Sequence, residues 1–358
     1  MNPNNARARA EIARAYFALG ETRAARQEFE TVKQQGIPPG VQQTIDKFLS
    51  AVERLDAEGQ TTIRGFVEAT TGYDTNPNAS TASSQVAVPA LGGSLLTLNN
   101  TKQSDAFNSV AAGVNLRKPI DPRLAFLAGL SGTKRVNEKL DRVNTGSWDA
   151  NAGLVYKEEK DVFSISLQAA GVFVDDQRYR DTWGLSGQWQ HNYDQRNQAT
   201  LFLQYADLRY PLGAQLFNGK KRDAERWIAG AGFAHALRDQ RTVLFASLYA
   251  GFEDTRSQPT AELDYRTWGL RGGGQYQISD VLSVFANGSY ENRHYLGRDG
   301  FFLVNRDDEN FNAGIGMTWS PAKNWKVTPQ WQHSTTRSNI AINTYDRDVL
   351  SVSARFDF

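Results

Sequence analysis

The side chains able to make or break bonds are few, and their spacing suits no common reaction. There are four histidines, His191, His235, His294 and His333, and no cysteine. The histidines share no metal-ligand spacing. The absence of thiols removes disulfides, thiolate metal sites and a cysteine nucleophile. A serine hydrolase needs Ser, His and an acid brought together. His333 and Ser334 are adjacent, so in a strand they face opposite sides and cannot form that pair. His191 and His235 fall near the ends of strands that lead to short turns, and His294 lies near Asp299 beside a loop. No Gly-rich phosphate loop follows a strand and opens a helix. Arg222, Asp223 and Arg226 gather charge in one loop, which reads as a solvated rim. The sequence does not read as that of an enzyme, and no cofactor or metal is expected.

The elements that carry these residues explain the scarcity. Lys+Arg total 40 against 39 Asp+Glu, so the basic excess of a nucleic-acid binder is missing. Mean hydropathy is −0.53, and no apolar run reaches the roughly 18 residues of a membrane helix. Yet there are 8 Trp, 13 Tyr, 19 Phe and 30 Gly against 2 Met, a balance suited to long strands. Residues 1–20 hold no apolar core or cleavage site of a secretory signal. The start therefore reads either as cytoplasmic or as a mature or trimmed form.

Residues 1–58 read as helical. Ala8, Ile12, Ala15, Tyr16 and Leu19 recur at helical spacing and predict a first helix over about 6–19 that Gly20 ends. A second helix over about 22–35 places Ala25, Phe29 and Val32 on one face, and Gly36, Pro38, Pro39 and Gly40 break it. A third over about 41–55 places Ile45, Phe48, Leu49 and Val52 inward. The first two resemble one tetratricopeptide repeat: Ile12-Ala13, Tyr16 and Ala25-x3-Phe29 match its pattern. Arg9 stands where that repeat has Trp, and the closing proline comes one place late. A plain helical hairpin is the alternative. A single repeat cannot bury its own face, so this head is expected to pack on something else or to follow further repeats.

After Gln60 the hydrophobic period changes from 3.6 to 2. Leu350, Val352, Ala354, Phe356 and Phe358 alternate with Ser351, Ser353, Arg355 and Asp357. Phe163-Ile165-Leu167-Ala169 and Trp183-Leu185-Gly187-Trp189 alternate in the same way with small polar residues. Strands are expected near 62–73, 104–118, 123–135, 145–158, 162–175, 181–193, 198–210, 224–237, 242–254, 264–279, 282–296, 307–320, 325–338 and 345–358. Phe285 interrupts a polar face, 242–252 is mixed, and Pro329 removes a ladder bond. Short turns alternate with longer polar loops, the longest from Asp74 to Gln103. This is the pattern of an outer-membrane barrel: a 14-stranded antiparallel transmembrane β-barrel over 62–358, preceded by the α-helical, tetratricopeptide-like segment 1–58.

The aromatics supply an independent check. Trp148, Trp183, Trp227, Trp268 and Phe311 follow successive long loops. Tyr156, Trp189, Phe233, Tyr276 and Trp319 lie six to eight residues further along the same faces. Eight tilted strand residues rise roughly 20 Å, close to the apolar band of about 25 Å between two aromatic girdles. These ten residues are the expected membrane-interface aromatics. A β-propeller would need four short strands per Trp period, and each period here holds two long ones. Leu350, Val352, Phe356 and the terminal Phe358 resemble the signal that hands outer-membrane proteins to the barrel-assembly machinery. Alternation places Gln, Asn, Ser, Thr, Gly and charged side chains inside. Fourteen strands enclose less than the 16–18 of open porins, so a lumen partly filled by the Asp74–Gln103 loop or another segment is expected.

Five segments together carry a family resemblance: GFVEATTGYDTNPNAS (65–80), RWIAGAGFAHAL (226–237), VLFASLYAGFED (243–254), YRTWGLRGGGQYQISD (265–280) and SNIAINTYDRDVLSVSARFDF (338–358). In order, they look like the surface lipoprotein assembly modulator family (Slam). The resemblance implies periplasmic repeats joined to a fourteen-stranded barrel in the outer membrane of a Gram-negative bacterium. It implies delivery of lipoproteins or related secreted proteins to the cell surface. The implied partners are outer-membrane lipid, the protein client and the barrel-assembly machinery, with no nucleic acid and no substrate-contact residue assigned. A lateral opening between the first and last strands is one route, testable with a disulfide between Val67 and Val352 if they are in register. Two other readings stay open: a conduit exporting a polysaccharide or small solute, and an adhesive barrel using its long outer loops.

Overall fold

The computed structural model describes residues 6–18, 21–34, 42, 44–49, 60–211, 222–239, 241–256 and 261–358. Two compact units are present, Met1–Ile63 with Leu116–Phe126, and Arg64–Asn115 with Leu127–Phe358.

In the first unit, helices α1 (Ala6–Ala18) and α2 (Thr22–Gln34) pair, and residues 44–49 are helical. Ala13, Ala25, Phe29, Val32 and Ile45 form the core, with Ala10, Phe17, Phe48 and Leu49 packed against it. The residues that recur at helical spacing in α1 are not the ones that pack. Ile12 is 47% exposed and Tyr16 38%, while Ala15 is exposed too. This short helix carries apolar residues on two flanks, so periodicity alone does not choose between them. Ala13 and Ala25 are both fully buried in this core, where small side chains let helices approach, and the packed flank of α1 is Ala10–Ala13–Phe17. Arg9, at the unexpected position, donates to Glu28 across the pair at 2.7 Å. The expected contributions of Leu19 and Val52, and the breakers Gly20, Gly36, Pro38, Pro39 and Gly40, lie outside the described residues.

Sixteen strands follow: β1 (Thr62–Asp74), β2 (Gln85–Val88), β3 (Ser94–Thr97), β4 (Asp105–Pro119), β5 (Leu124–Asn137), β6 (Thr145–Glu158), β7 (Asp161–Val174), β8 (Gln177–Asn192), β9 (Asn197–Arg209), β10 (Ala224–Ala236), β11 (Thr242–Thr255), β12 (Tyr265–Ser279), β13 (Leu282–Arg298), β14 (Asn305–Trp319), β15 (Trp325–Ser338) and β16 (Tyr345–Asp357). All but β2 and β3 close into one ring, ordered β1-β16-β15-β14-β13-β12-β11-β10-β9-β8-β7-β6-β5-β4. The fourteen expected strands are therefore present. No described helix is long and apolar enough to cross a membrane. A closed barrel crosses with strands, because closure satisfies every backbone group without an edge.

Three of the short turns use one device. Asp194 Oδ1 accepts from the N–H groups of Arg196 and Asn197 at 2.7 and 2.8 Å, and Asp239 Oδ1 from Arg241 and Thr242 at 2.9 and 3.1 Å. Asp121 does the same with Arg123 and Leu124. Such side-chain turns reverse the chain without a special backbone region. The Asn197 amide and the Arg196 N–H hold the Asp194 carboxyl below its ordinary value. The Arg241 N–H and the Thr242 hydroxyl do so for Asp239. One expected long loop is absent. β7 and β8 meet through Asp175-Asp176 alone, both at positive φ (52° and 56°), the geometry of a tight hairpin turn. The longest loop, in turn, contains the β2–β3 hairpin, which the sequence pattern does not predict.

Aromatic rings on the lumen side are seated on glycines directly opposite. Phe202 faces Gly230, Phe245 faces Gly273, Tyr249 faces Gly269 and Phe285 faces Gly316. A Cβ at any of these glycines would meet the facing ring within 2.8 Å. The irregularities at Phe285 and in 242–252 are thus filled lumen positions rather than broken strands.

Candidate functional site: the lipid-facing belt and the closing strands

Outward positions carry the large apolar side chains. Of the ten expected interface aromatics, nine are exposed, from Trp148 and Trp227 at 37% to Trp183 at 64%; Tyr156 is half-buried. Register links them sideways. Tyr156 faces Phe163, which faces Trp189, and Trp319 faces Leu282 and Val327. Toward the long loops, Trp227 packs on Tyr205 with centroids 4.8 Å apart, Trp268 on Tyr290 at 5.3 Å, and Tyr290 on Phe311 at 5.8 Å. Tyr205, Tyr290 and Phe163 belong to these rows although the sequence reading did not select them. Their spacing from the loops was the available signal.

The histidines all bond side chains of neighbouring strands. Trp189 Nε1 and His191 Nδ1 both bond Asp161 Oδ1, at 2.7 and 2.8 Å. Trp331 Nε1 and His333 Nδ1 both bond Asp348 Oδ1, at 3.2 and 2.9 Å. The same Gln-Trp-Gln-His run therefore clamps a neighbouring strand's carboxylate twice. His294 pairs with Asp307 and His235 with Asn197. Among the described residues no cluster of three His, Cys, Asp or Glu could hold a metal. The Arg222–Asp223–Arg226 group separates. Asp223 accepts from Arg209 and from the Tyr210 N–H, Arg222 donates to the Tyr179 hydroxyl at 3.2 Å, and Arg226 lies on β10.

Closure is continuous. β1 pairs with β16 from Phe66/Asp357 to Asp74/Val349. Gly65 and Phe358 exchange backbone bonds at 2.7 and 2.9 Å beyond one end, and Thr75 N donates to Asp348 O beyond the other. The Phe358 ring lies on Gly65, where a Cβ would come within 2.6 Å of it. Leu350, Val352 and Phe356 share its outward face, opposite Tyr73, Thr71 and Val67. Val67 therefore does not face Val352, and the cross-link suggested by the sequence is out of register. Inside, Asp74 is fully buried and held by Arg347 (3.0 and 2.6 Å) and Arg135 (2.7 Å).

The lumen-facing wall also holds stacked cations that composition alone does not reveal. Arg355 lies 3.8 Å from the Phe66 ring centre, Arg135 3.8 Å from Phe107, Arg271 4.6 Å from Tyr249 and Arg306 4.8 Å from Tyr295. The 75–104 loop is tied to two others. Arg142 donates to Asn100 and Gln103, and Ala90 N donates to Phe301 O. Leu91, Leu95, Leu96 and Phe301 are exposed there.

A comparison with solved structures finds barrels at low identity. One is a FadL homologue of Pseudomonas aeruginosa (12% identity, 83% of this chain and 90% of that one, TM-score 0.45). A second is the outer membrane channel DcaP of Acinetobacter baumannii (10%, 83% and 97%, 0.48). A third is the outer membrane protein OmpT of Vibrio cholerae (9%, 84% and 100%, 0.44). At these scores the likenesses carry no functional inference. No curated protein sequence matches the chain. The surface lipoprotein assembly modifier profile matches residues 67–358, from within β1 to the last residue of the barrel, and the chain belongs to that family.

Proposed function

We propose that this protein is an outer-membrane translocation helper that assists delivery of lipoproteins to the bacterial cell surface. The observation that carries the reading is the match of the surface lipoprotein assembly modifier family to residues 67–358, all of the closed ring but the start of β1. Residues 62–358 are the working barrel. Residues 1–58, tetratricopeptide-like and periplasmic, hold the client before passage. The exposed Ile12 and Tyr16 offer that segment an apolar contact. The ten belt aromatics anchor the barrel at the two membrane interfaces, where amphipathic rings are favoured. Leu350, Val352, Phe356 and Phe358 present the outward face read by the barrel-assembly machinery. No bond is made or broken; the protein lowers the barrier that lipid sets to a polar chain.

The test is co-expression with candidate lipoproteins, scored by protease shaving of intact cells. Client cleavage should rise when this chain is present and fall to background without it. Cleavage that ignores its presence would overturn the reading.

A further inference from the structure

A depression of about 670 Å³ opens on the outer wall of β10–β14. Its upper wall is a registered row, Leu248–Leu270–Tyr290–Phe311. Its floor is the next outward row, Ala246–Gly272–Gly288, closed at one end by Phe233.

The floor glycines differ from those inside. Each lumen-side glycine described above makes room for a ring. At Gly272 a Cβ would meet only the Phe245 carbonyl at 3.4 Å, and at Gly288 only the Asn312 carbonyl at 3.5 Å. Packing does not require these two glycines, although glycine weakens a strand and often marks a close approach by a ligand. What their bareness provides is the open space outside.

The floor row also climbs. Phe233 is fourth from the short-turn end of β10, Gly272 is the middle residue of β12, and Asp348 is fourth from the long-loop end of β16. Between them the register runs Gly288–Ala313–His333–Asp348. The line thus rises from the girdle on the short-turn side to the polar His333–Asp348 pair on the other. At β11 only Ala246 separates Leu248 from Leu244. That is about 13 Å of strand, which leaves no room between two leucine side chains for a helix about 10–12 Å wide. A single hydrocarbon chain fits. Between the girdles the depression is continuous with the lipid-facing surface, so its occupant is hydrocarbon.

We propose that this trough holds an acyl chain of the client lipoprotein while the client's polar head moves from the short-turn side to the long-loop side. The proposal rests on the delivery reading above and adds the ligand class and its place.

The test uses the full chain in vesicles of phosphatidylethanolamine and phosphatidylglycerol. The probe is a synthetic triacylated lipopeptide with a photoreactive diazirine in one acyl chain. After irradiation, adducts should concentrate at Leu248, Leu270 and Tyr290. In Gly272→Leu/Gly288→Leu they should fall to the level at Leu130, an exposed residue of β5 seven strands away in the ring. Ala246→Leu is a second filler, should the double variant fail to assemble. Adducts as dense at Leu130 as at Leu270 would overturn the proposal. So would the same concentration of adducts from photoreactive phosphatidylethanolamine, which would mark bulk lipid only. In cells, the filled trough should lower display of the acylated client. A wild-type chain that gives no display removes the delivery reading, while the vesicle labelling still decides the trough.

Discussion

Asp74 ends β1 with no exposed surface, and a carboxylate there is tolerable only because cations surround it. Arg347 grips both oxygens, Arg135 adds a second guanidinium, and the Asn76 N–H donates as well at 3.0 Å. Bidentate guanidinium contacts are both strong and geometrically demanding. Since Arg347 sits on β16, the cluster fastens the closing strands on the lumen side near the long loops. Arg347→Ala should cost about 2–3 kcal/mol, less than the roughly 3–5 of a lone broken buried pair because Arg135 remains. Arg347→Lys should recover part of that loss, keeping the charge without the fork. The urea midpoint of the barrel, read from its heat-modifiable gel mobility, measures both. An unchanged midpoint in Arg347→Ala would show that the clamp contributes nothing.

Among the elements, β15 carries the ladder defect that proline imposes. Pairing between β14 and β15 skips Met317/Pro329 and Thr318/Thr328, whereas Pro329 still faces Val352 on the β16 side. The Asn339 N–H donates to the Asp307 carbonyl, and alternation carried down from that bond turns Pro329 toward Met317. The missing N–H therefore strands the Met317 carbonyl inside the membrane band. Pro329→Val should raise the urea midpoint by about 1 kcal/mol of stability. The restored bond in hydrocarbon outweighs the roughly 0.4–1 kcal/mol lost by freeing the unfolded chain. An unaltered or lower midpoint would mean that the carbonyl has another partner. This defect was legible in the sequence, as were all fourteen barrel strands, because a period of two persists over a dozen residues and needs no partner to be seen. The β7–β8 turn was not: Asp175 and Asp176 are ordinary loop residues until both adopt positive φ. Nor was the buried flank of α1, which the facing Ala25 and Phe29 decide.

For the whole molecule, what sequence alternation cannot give is register, and register decides how the ring is locked. β1 and β16 are joined without a gap from Gly65/Phe358 to Thr75/Asp348, whereas the β14–β15 and β13–β14 ladders both skip pairs. Gly65 and Phe358 exchange both backbone bonds, so alternation makes Thr70 and Ser353 a non-hydrogen-bonded pair on the lumen face. Such pairs hold their Cα atoms about 4.5 Å apart, within the roughly 4.4–6.8 Å that a disulfide spans. The chain has no native cysteine to interfere. Thr70→Cys/Ser353→Cys should therefore oxidise readily and, on the delivery function proposed above, leave client display at the cell surface unchanged if the terminal strands stay joined during passage. A loss of display that a reductant restores would show instead that clients pass between the closing strands, and that the continuous ladder is the resting state of a gate.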